Sequence, residues 1–501
     1  MSNAHDVVIV GAGSAGCVLA ARLSQDDRRR VLLIEAGPDY RPAELPADLA
    51  DGLHGLSTSS HDWGLRGSYT DGGPLTALPR GKVTGGSSAV NGTFALRGHP
   101  ADYDGWGIPG WRFSDLLPAF TRLERDLDFG PASYHGADGP VPIRRETGAL
   151  RSELAVAAEE ALAAAGLPRV GDHNAPGATG VGPLPVNCAG GKRVSTAMAY
   201  LEPARSRPNL TIMAGQAVRE IVIRRGRAAG VLLAGSAEPV PAGEVIVCAG
   251  AYGSPELLLR SGIGPAASLS ALGRAVAADL PGTGANLSDH PAVCIDLRCQ
   301  APGRDVPVFQ LAATAHSSAA APGGPPDLQL MTAGPYPADG GGYTCMVVAA
   351  LLRPASRGQV RLRSLDPSVP AQISLGYFRD PGDLPRLLAG LRLAETAVAH
   401  PALAGRTGGN RIGPPGEVIA GDDSARDWIR TAVFSYHHPV GTCAMGLDPA
   451  AGAVVDPDGR VYGITGLTVA DASILPAIPS ANTGIPVIMA AEHLAARRAA
   501  G

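Results

Sequence analysis

The chain has no apolar run of the roughly 18 residues that a membrane-spanning helix needs, although 45% of its 501 residues are hydrophobic. It also lacks an excess of charge of either sign, since 42 Lys and Arg residues against 46 Asp and Glu residues give a formal net charge of −4. Without a basic excess, nothing favours a nucleic-acid or anionic-membrane partner. We therefore expect a globular protein that binds neither nucleic acid nor membrane.

The seven cysteines are too scattered for a disulfide framework. They stand at positions 17, 188, 248, 294, 299, 345 and 443, and no two form a Cys-x-x-Cys pair. This pattern argues against a structural zinc site and fits a reducing compartment. Strand-like sequence begins at about Val7, which leaves no room for the charged and apolar regions of a signal peptide. We therefore expect a cytoplasmic protein without a metal site.

The first forty residues have the pattern of a dinucleotide-binding unit. A β-branched run ends at Val10 and leads into Gly11-Ala-Gly13-Ser-Ala-Gly16, after which a helical stretch and a second apolar strand follow. In such a unit the first glycine makes the tight turn, the second lets the backbone approach a pyrophosphate, and the third lets the helix pack on the strand. Glu35 stands 19 residues beyond Gly16, where a carboxylate suits the ribose hydroxyls of an adenosine.

The glycine string by itself has little weight, because a chain with 66 glycines contains one such string by chance about once. The alternative is a structural glycine turn. The strand before the string, the helix after it and the acid at the right distance favour a dinucleotide. The motif does not separate FAD from NAD(P). Its position at the start of the chain favours FAD only by analogy.

A second loop of small residues, Arg80–Gly92, has too little bulk to be core. Its Gly-Gly-Ser-Ser sequence and Asn91 are suited to close backbone approach to a flat or anionic ligand. The alternative is a flexible surface loop. Further along, 244–250 is predicted as a buried strand that precedes a helix, with Ser254 as N-cap and Pro255 at the first helical position. The runs 210–213 and 218–223 are predicted as strands of a smaller β unit.

Between about residues 290 and 425 the sequence changes to alternating apolar and polar runs such as 328–331 and 358–363, typical of an antiparallel sheet. The Ala-, Pro- and Gly-rich stretch 301–326 is predicted to be an irregular loop. We predict an α/β fold, α+β overall, in which a discontinuous Rossmann-like domain is interleaved with a substrate domain on a mixed, mainly antiparallel sheet. The predicted boundaries are 1–150, 190–290 and 440–501 for the nucleotide domain, and 151–189 and 291–439 for the substrate domain.

Two adjacent histidines precede a proline in the last seventy residues. If residues 434–438 form an extended strand, successive side chains alternate between its two faces. Tyr436 and His438 then lie on one side and His437 on the other. An adjacent pair without a third ligand is a poor metal site, whereas one histidine can take a hydroxyl proton near neutral pH. His290 is interpreted as a structural turn residue. The remaining histidines are isolated and interpreted as solvated or packed: 5, 54, 61, 99, 135, 173, 316, 400 and 493.

Taken in order, these motifs resemble the glucose–methanol–choline (GMC) family of FAD-dependent oxidoreductases. The glycine string with Glu35, the segment 81–104, the segment 250–264, His438-Pro-Val-Gly-Thr-Cys and Ser480-Ala-Asn482-Thr483 follow the family's motifs across about 470 residues. Thr84 departs from the aliphatic residue that is usual in the first signature. The resemblance implies non-covalent FAD, because Val90 stands where some members carry a histidine bonded to the flavin.

The resemblance also implies roles for individual residues. His438 matches the catalytic histidine, and Asn482 matches its partner, which is His in some relatives. The expected cofactor contacts are Gly11, Gly13, Ser14, Ala15, Gly16, Glu35, Ala36, Val83, Gly85, Gly86, Asn91, Gly92, Thr93, Phe94, Val218, Ala249, Asp471, Ala472 and Thr483. Among these, Val218 is expected near the adenine, Asp471 and Ala472 near the pyrophosphate or ribitol, and Thr483 near the flavin pyrimidine.

The expected activity is oxidation of a primary or secondary alcohol to an aldehyde or ketone. His438 would accept the hydroxyl proton while hydride passes to flavin N5, and O2 is the expected electron acceptor. Three alternatives stay open: a dehydrogenase with another acceptor, a lyase or decarboxylase that retains flavin, and a nucleotide-binding protein without chemistry. The sequence does not reveal which alcohol is used. Its short length, without a covalent-flavin histidine, is most similar to bacterial alcohol or hydroxymethyl-furan oxidases.

Overall fold

A computed structural model describes residues 5–148, 151–321 and 323–500. Its strands are β1 His5–Val10, β2 Val31–Ile34, β3 Arg66–Ser68, β4 Leu75–Ala77, β5 Glu124–Asp126, β6 Val141–Arg145, β7 Val181–Pro183, β8 Pro185–Val186, β9 Cys188–Ala189, β10 Lys192–Arg193, β11 Leu210–Met213, β12 Val218–Arg224 and β13 Arg227–Leu233. The later strands are β14 Pro239–Val247, β15 Ile263–Gly264, β16 Ala278–Asp279, β17 Pro291–Cys299, β18 Leu311–Ala315, β19 Leu328–Pro337, β20 Tyr343–Leu351, β21 Gln359–Arg361, β22 Gln372–Ser374, β23 Arg411–Gly413, β24 Phe434–Ser435 and β25 Leu467–Val469.

The helices lie between and around these strands. They are α1 Ser14–Leu23, α2 Ala47–Ala50, α3 Pro100–Asp104, α4 Phe113–Leu123, α5 Glu153–Ala164, α6 Glu202–Ala204, α7 Gly250–Arg260, α8 Ala266–Ala271, α9 Asp383–Ala399, α10 Pro401–Thr407, α11 Gly416–Ala420, α12 Asp422–Ala432 and α13 Gly484–Ala500. Short 3₁₀ turns occur at Gly86–Ala89, Pro449–Ala451 and Ala472–Ile474, and a π-helical turn occurs at Ala197–Leu201. Among the described residues, no helix is long and apolar enough to cross a bilayer.

The chain ends and the middle of the sequence meet in a parallel sheet. Its strand order is β11-β2-β1-β14, with β25 also on β14, and all four pairings are parallel. The β-branched and leucine-rich strands β1 and β2 are almost fully buried, as expected for strands covered on both faces. The antiparallel strands β12 and β13 extend the sheet from the first half of β14. This arrangement confirms the predicted α/β class with a nucleotide-binding sheet.

One strand assignment within this sheet is wrong. The run Leu210–Met213 was expected in a smaller β unit with 218–223, but it pairs in parallel with β2 and forms the edge of the main sheet. Only β12, at Val218–Arg224, lies in the antiparallel extension. The sequence indicates that both runs are extended. Their partners depend on contacts between residues almost 180 positions apart, which local patterns do not encode.

The second large sheet is antiparallel and has the order β23-β17-β20-β19-β18-β7, with β24 on β17. One face packs under α9 through residues such as Ile295, Leu330 and Leu391. The opposite face packs with Phe94, Tyr436 and Ala481. This second face therefore lies toward the segments that carry the predicted site.

Two predictions about this region need correction. The stretch 301–326, expected to be an irregular loop, contains β18 at Leu311–Ala315. Its Leu-Ala-Ala-Thr-Ala sequence has low strand propensity, and burial between two neighbouring strands makes it a strand. The run around 358–363 is a strand only at Gln359–Arg361, and it belongs to a separate four-stranded sheet with β22, β3 and β4.

The helix after β14 begins earlier than predicted. Ser254 was expected as the N-cap, but α7 already starts at Gly250 and contains Pro255 in its interior. Proline lacks the N–H that would bond the Ala251 carbonyl four residues back. That carbonyl instead accepts a hydrogen bond from Thr442 Oγ1 at 2.6 Å. This tertiary hydrogen bond therefore allows α7 to continue through Pro255, where the local preference of proline would end a helix.

The strands of the two large sheets fall within the sequence ranges expected for the nucleotide and substrate domains. Two smaller sheets join these ranges: β22 pairs with β3, and β6 pairs with β8. The boundaries themselves therefore stay a prediction.

Candidate active site

The first glycine loop turns sharply from β1 into α1. Gly11 has φ +96°, and a Cβ there would lie 2.5 Å from the Cys248 carbonyl oxygen. A Cβ on Gly16 would lie 1.9 Å from the Gly11 carbonyl oxygen, so the helix can pack on the strand only without a side chain. The N-cap residue Gly13 offers no side-chain cap, and the first turn of α1 contains no acidic residue. The positive end of the helix is therefore left for an external anion.

Glu35 lies at the end of β2 and holds this loop in place. Its Oε2 accepts a hydrogen bond from the Ala12 amide and its Oε1 from the Gly37 amide, both at 2.8 Å. Burial raises the pKa of Glu35, and the amides of Gly37 and Ala12 oppose that rise. Each carboxylate oxygen has further lone pairs, which suit the hydroxyls of a ribose. Ala36 follows directly and is also part of the predicted contact set.

The second glycine loop lies directly against the first. The Gly85 amide donates to the Ala12 carbonyl at 2.7 Å. Gly86 has φ +52°, and a Cβ there would lie 2.6 Å from Gly13 Cα. The two loops, separated by about 70 residues in sequence, thus form one cradle that excludes side chains, as backbone recognition of a pyrophosphate requires.

The rest of the second loop continues toward the substrate sheet. Asn91 Oδ1 accepts from the Thr93 amide, and Thr93 adopts a positive φ of 64°. Phe94 packs edge-on against Phe309 with ring centroids 5.0 Å apart. The predicted contact Val83 is buried in a small apolar cluster that also contains Val90, and Gly92 precedes Thr93. Val90 has no nucleophilic atom with which to bond a flavin.

Three of the remaining predicted cofactor residues, Ala249, Asp471 and Ala472, follow the carboxyl ends of β14 and β25, whereas Val218 begins β12 and Thr483 directly precedes α13. Ala249 is the N-cap of α7, and its amide donates to Ser254 Oγ. Asp471 is the N-cap of the turn that contains Ala472. Its carboxylate accepts hydrogen bonds from the Gly250 amide, from Ser254 Oγ and from both Ser473 donors. These four bonds tie the loops together, and cofactor contact by this segment stays a prediction.

His438 and Asn482 meet beside the second glycine loop. Arg80, at the start of that loop, donates from Nη1 to the His437 carbonyl at 2.9 Å. At the other end, a Cβ on Gly484 would lie 3.7 Å from Asn91 Nδ2, which brings the 482–484 segment with Thr483 to the same loop. The structure thus brings the two predicted catalytic residues and the glycine loops into one continuous site.

The hydrogen bonds of His438 define its tautomer. Asn482 Nδ2 lies 3.2 Å from His438 Nε2, and an amide NH2 can only donate, so Nε2 is the acceptor. Gln329 Nε2 lies 3.4 Å from Asn482 Oδ1 and donates to it. This bond also requires that the asparagine amide direct its NH2 group toward His438. His438 Nδ1 then carries the proton and donates to His290 Nδ1 at 3.0 Å. The imidazole therefore presents a basic Nε2 next to an N–H donor.

Asp289 and His290 are site residues that the sequence reasoning missed. Asp289 Oδ1 accepts from the backbone amides of both His438 and His290, at 2.7 and 2.9 Å. Its Oδ2 accepts from Ser435 Oγ and Tyr377 OH. His290 was interpreted as a turn residue, but it is fully buried against the ring of His438. An Asp-His pair before a strand is the only sequence signal, and it does not indicate a partner 148 residues away.

Burial controls the protonation of this cluster. It lowers the pKa of His438 well below its ordinary value, and the nearby His290, His437 and Arg80 lower it further. Burial also lowers the pKa of His290 to about 3, and that of His437 to about 3 with help from Arg80. The same burial raises the pKa of Asp289. At neutral pH all three imidazoles are consequently uncharged, and Nε2 of His438 is free to accept a proton.

The extended geometry predicted for 434–438 ends early. Strand β24 contains only Phe434–Ser435, and His437 has a positive φ of 68°. Tyr436 and His438 still lie together, with ring centroids 4.7 Å apart. His437 turns back to Ser435 Oγ instead, at 3.5 Å from Nδ1. The edge-to-face contact of Tyr436 and His438 thus comes from a kink in the backbone.

Another histidine interpreted as isolated belongs to a buried charge cluster. His135 contacts Glu124 at 2.7 Å, Asp172 at 2.9 Å and Asp126 at 3.2 Å. Glu124, Asp126 and His135 are close enough together to hold a metal ion. However, Arg97 pairs with Glu124, and Arg145 pairs with both aspartates. Two guanidinium groups together with a protonated His135 balance the three carboxylates, so we interpret the cluster as an ion-pair network.

A parallel sheet with a glycine cradle at its carboxyl edge, next to a neutral histidine and an amide, defines a dinucleotide-dependent oxidoreductase. The family models described as GMC oxidoreductase match residues 5–292 and 354–491. The chain belongs to the GMC oxidoreductase family, and it binds FAD as these enzymes do.

Two curated relatives align over almost the whole chain. The 5-(hydroxymethyl)furfural oxidase of Methylovorus sp. (strain MP688) is 38% identical, with 98% of each chain covered. The oxygen-dependent choline dehydrogenase of Paraburkholderia xenovorans (strain LB400) is 36% identical, covering 99% of this chain and 94% of the relative. Among solved structures, pyridoxine 4-oxidase from Mesorbium loti superposes with a TM-score of 0.89 at 33% identity and covers 99% of both chains. The family's action on alcohols therefore extends to this chain at the level of class.

Proposed function

We propose that this protein oxidises a primary or secondary alcohol to the aldehyde or ketone, with His438 as the base and Asn482 as the residue that holds the substrate oxygen. The observation that carries the proposal is the pairing of His438 Nε2 with Asn482 Nδ2 at 3.2 Å. A hydroxyl group is both a donor and an acceptor. An alcohol that replaces this hydrogen bond and lies against both atoms would donate its proton to Nε2 and accept a hydrogen bond from Nδ2.

The chain's own residues prepare the proton transfer. The low pKa of His438 keeps Nε2 unprotonated at neutral pH. The hydrogen bond from His438 Nδ1 to His290 and the bond from the His438 amide to Asp289 hold the ring in one orientation. Proton transfer to a positioned base is worth roughly 10²–10⁴-fold in rate. Bound FAD supplies the complementary chemistry by accepting hydride from the carbinol carbon.

The cofactor contacts follow from the same geometry. Backbone amides at the start of α1 and the touching glycine loops suit the pyrophosphate, and Glu35 suits the ribose. Val90 in the buried cluster supports non-covalent FAD. The similarity to 5-(hydroxymethyl)furfural oxidase supports an alcohol oxidase that uses O2. A dehydrogenase with a different electron acceptor is the alternative, and oxygen uptake separates the two.

An anaerobic screen tests this proposal. Purified, FAD-loaded protein is mixed with alkyl, allylic, benzylic and furanic alcohols, and loss of the flavin's visible absorbance is followed. Bleaching by at least one alcohol class, with formation of the matching aldehyde or ketone, is the expected result. Air is then admitted: rapid return of the colour with hydrogen peroxide supports the oxidase, and slow return supports the dehydrogenase. A flavin that no alcohol bleaches would remove the proposal.

A further inference from the structure

The face of the antiparallel sheet that lies toward His438 carries one polar side chain without a complete set of partners. Cross-strand register places Gln329 on β19 in a row with Ala350 on β20 and Ala292 on β17. The next row contains Met331, whose Sδ accepts from Tyr436 OH at 3.0 Å. Gln329 therefore stands between Ala350 on β20 and Thr314 on β18, and next to the ring that contacts His438.

Gln329 is 1% exposed, and its two amide atoms are used unequally. Nε2 donates to Asn482 Oδ1 at 3.4 Å. Oε1 is buried and accepts no hydrogen bond from any residue that the structure describes. A buried acceptor that is left without a donor is destabilising, so its retention beside the site calls for a ligand. Because both atoms share one carbon, Oε1 lies at the end of the side chain that contacts Asn482.

We propose that Gln329 Oε1 accepts a hydrogen bond from a second O–H or N–H group of the substrate, so that the site selects alcohols that carry another donor near the carbinol. This inference rests on the proposed function, because Asn482 and His438 would hold the reacting hydroxyl. The second role of Gln329 is positional. By donating to Asn482 Oδ1, it keeps Nδ2 directed at His438 Nε2.

The preferred substrate class follows from these two roles. A simple alkyl or benzyl alcohol satisfies His438 and Asn482 but leaves Gln329 Oε1 unpaired. A diol, a hydroxymethyl phenol or an amino alcohol has a second O–H or N–H group that can also donate to Gln329 Oε1. Sites built to bond a substrate donor discriminate strongly against the analogue that lacks it, since a buried polar group is then unpaired. We expect wild-type kcat/KM to favour the donor-bearing partner of a matched pair by at least about tenfold.

The experiment compares the three isomers of benzenedimethanol with the corresponding methylbenzyl alcohols, which replace one CH2OH group by CH3. The holoenzyme is tested as wild type, Gln329→Leu and Gln329→Glu. In Gln329→Leu the preference should fall to about one. Gln329→Glu keeps an acceptor but loses the N–H to Asn482, so the preference should persist while kcat falls for both substrates. A matched control is Gln372→Leu, an exposed glutamine of β22, which should leave the preference unchanged.

Melting temperature and flavin content separate this role from a structural one. Gln329→Leu removes one unpaired buried acceptor, Oε1, but leaves Asn482 Oδ1 without its donor, so its melting temperature should stay close to that of the wild type. The inference is overturned if Gln329→Leu keeps the wild-type preference, or if wild type shows none for any isomer. An ordered water on Oε1 would produce that second outcome. If no alcohol reduces the flavin, the proposed function itself fails; His438-dependent reduction without a Gln329-dependent preference overturns only this inference.

Discussion

Asn482 Nδ2 donates a hydrogen bond to Nε2 of His438 at 3.2 Å, and this single contact determines which nitrogen of the imidazole is basic. The donor can be satisfied equally by a substrate oxygen, and the acceptor by a substrate proton. The two residues are 44 positions apart and are brought together where the neighbouring residues His437 and Gly484 approach the second glycine loop.

Replacement of His438 by alanine should leave FAD bound but slow the reduction of flavin by alcohol at least about a hundredfold, because the proton acceptor is lost. Anaerobic stopped-flow absorbance measures this rate. The matched control is His437→Asn, since asparagine tolerates the positive φ of 68° at that position. It should retain most of the wild-type rate. Equal losses in the two variants would contradict the assignment of His438 as the base.

The acid limb of the kcat/KM profile should lie below pH 6.5. The base acts unprotonated, and burial with neighbouring positive groups lowers the pKa of His438, so the active form persists to lower pH than for an ordinary histidine. The midpoint of the acid limb is obtained from steady-state rates between pH 4.5 and 8, with flavin retention checked at each pH. A midpoint at or above pH 6.5 would count against the buried, neutral ring.

Asn482→Asp should move that limb to higher pH. A carboxylate cannot donate to Nε2, and its negative charge favours protonated His438, so the midpoint should rise by roughly one to three pH units while kcat falls. Asn482→Ala removes the donor without adding charge. It should lower kcat without the upward shift. If the alanine and aspartate variants give the same profile, the asparagine does not act on the protonation of His438.

Gly86→Ala should weaken FAD binding at least about tenfold. Its new Cβ would lie 2.6 Å from Gly13 Cα and force the two glycine loops apart, and its φ of +52° adds strain. Titration of apoprotein with FAD, followed by flavin fluorescence, measures the dissociation constant. Gly72→Ala is a matched control, because φ there is +71° and nothing lies within 4 Å of a Cβ. It should keep wild-type affinity. Equal affinities in all three proteins would show that the loop contact does not shape the FAD site.

The ion-pair network predicts a pH-dependent contribution of His135 to stability. Carboxylate partners raise the pKa of His135 against the opposing effect of burial. The stabilisation is therefore complete below pH 6.5 and is lost as pH rises through the raised pKa of the folded protein. His135→Asn should lower the free energy of unfolding by about 3–5 kcal/mol at pH 6 and by less at pH 9. Thermal and denaturant unfolding at both pH values test this, with the exposed His316→Asn as control. A loss that does not change with pH would refute a charged His135.

Local patterns identified much of the site. The β-branched runs of β1 and β2, the glycine spacing between them and Glu35 are read from neighbouring residues, and the structure brings them together as expected. Patterns failed where tertiary contacts override local preference. The alanine-rich β18 is a strand because it is buried between β7 and β19, and α7 continues through Pro255 because Thr442 satisfies the carbonyl that proline cannot bond.

The sequence by itself determined the family, the cofactor class and the two residues that we propose face the substrate, because each depends on motifs short enough to read locally. Only the tertiary structure revealed Asp289, His290 and Gln329. These residues reach the site from the segment directly before β17 and from β19, about 150 positions from His438 or Asn482. Hydrogen-bond direction depends on which atoms meet across elements, and therefore the tautomer of His438 and the unpaired oxygen of Gln329 are properties of the folded chain alone.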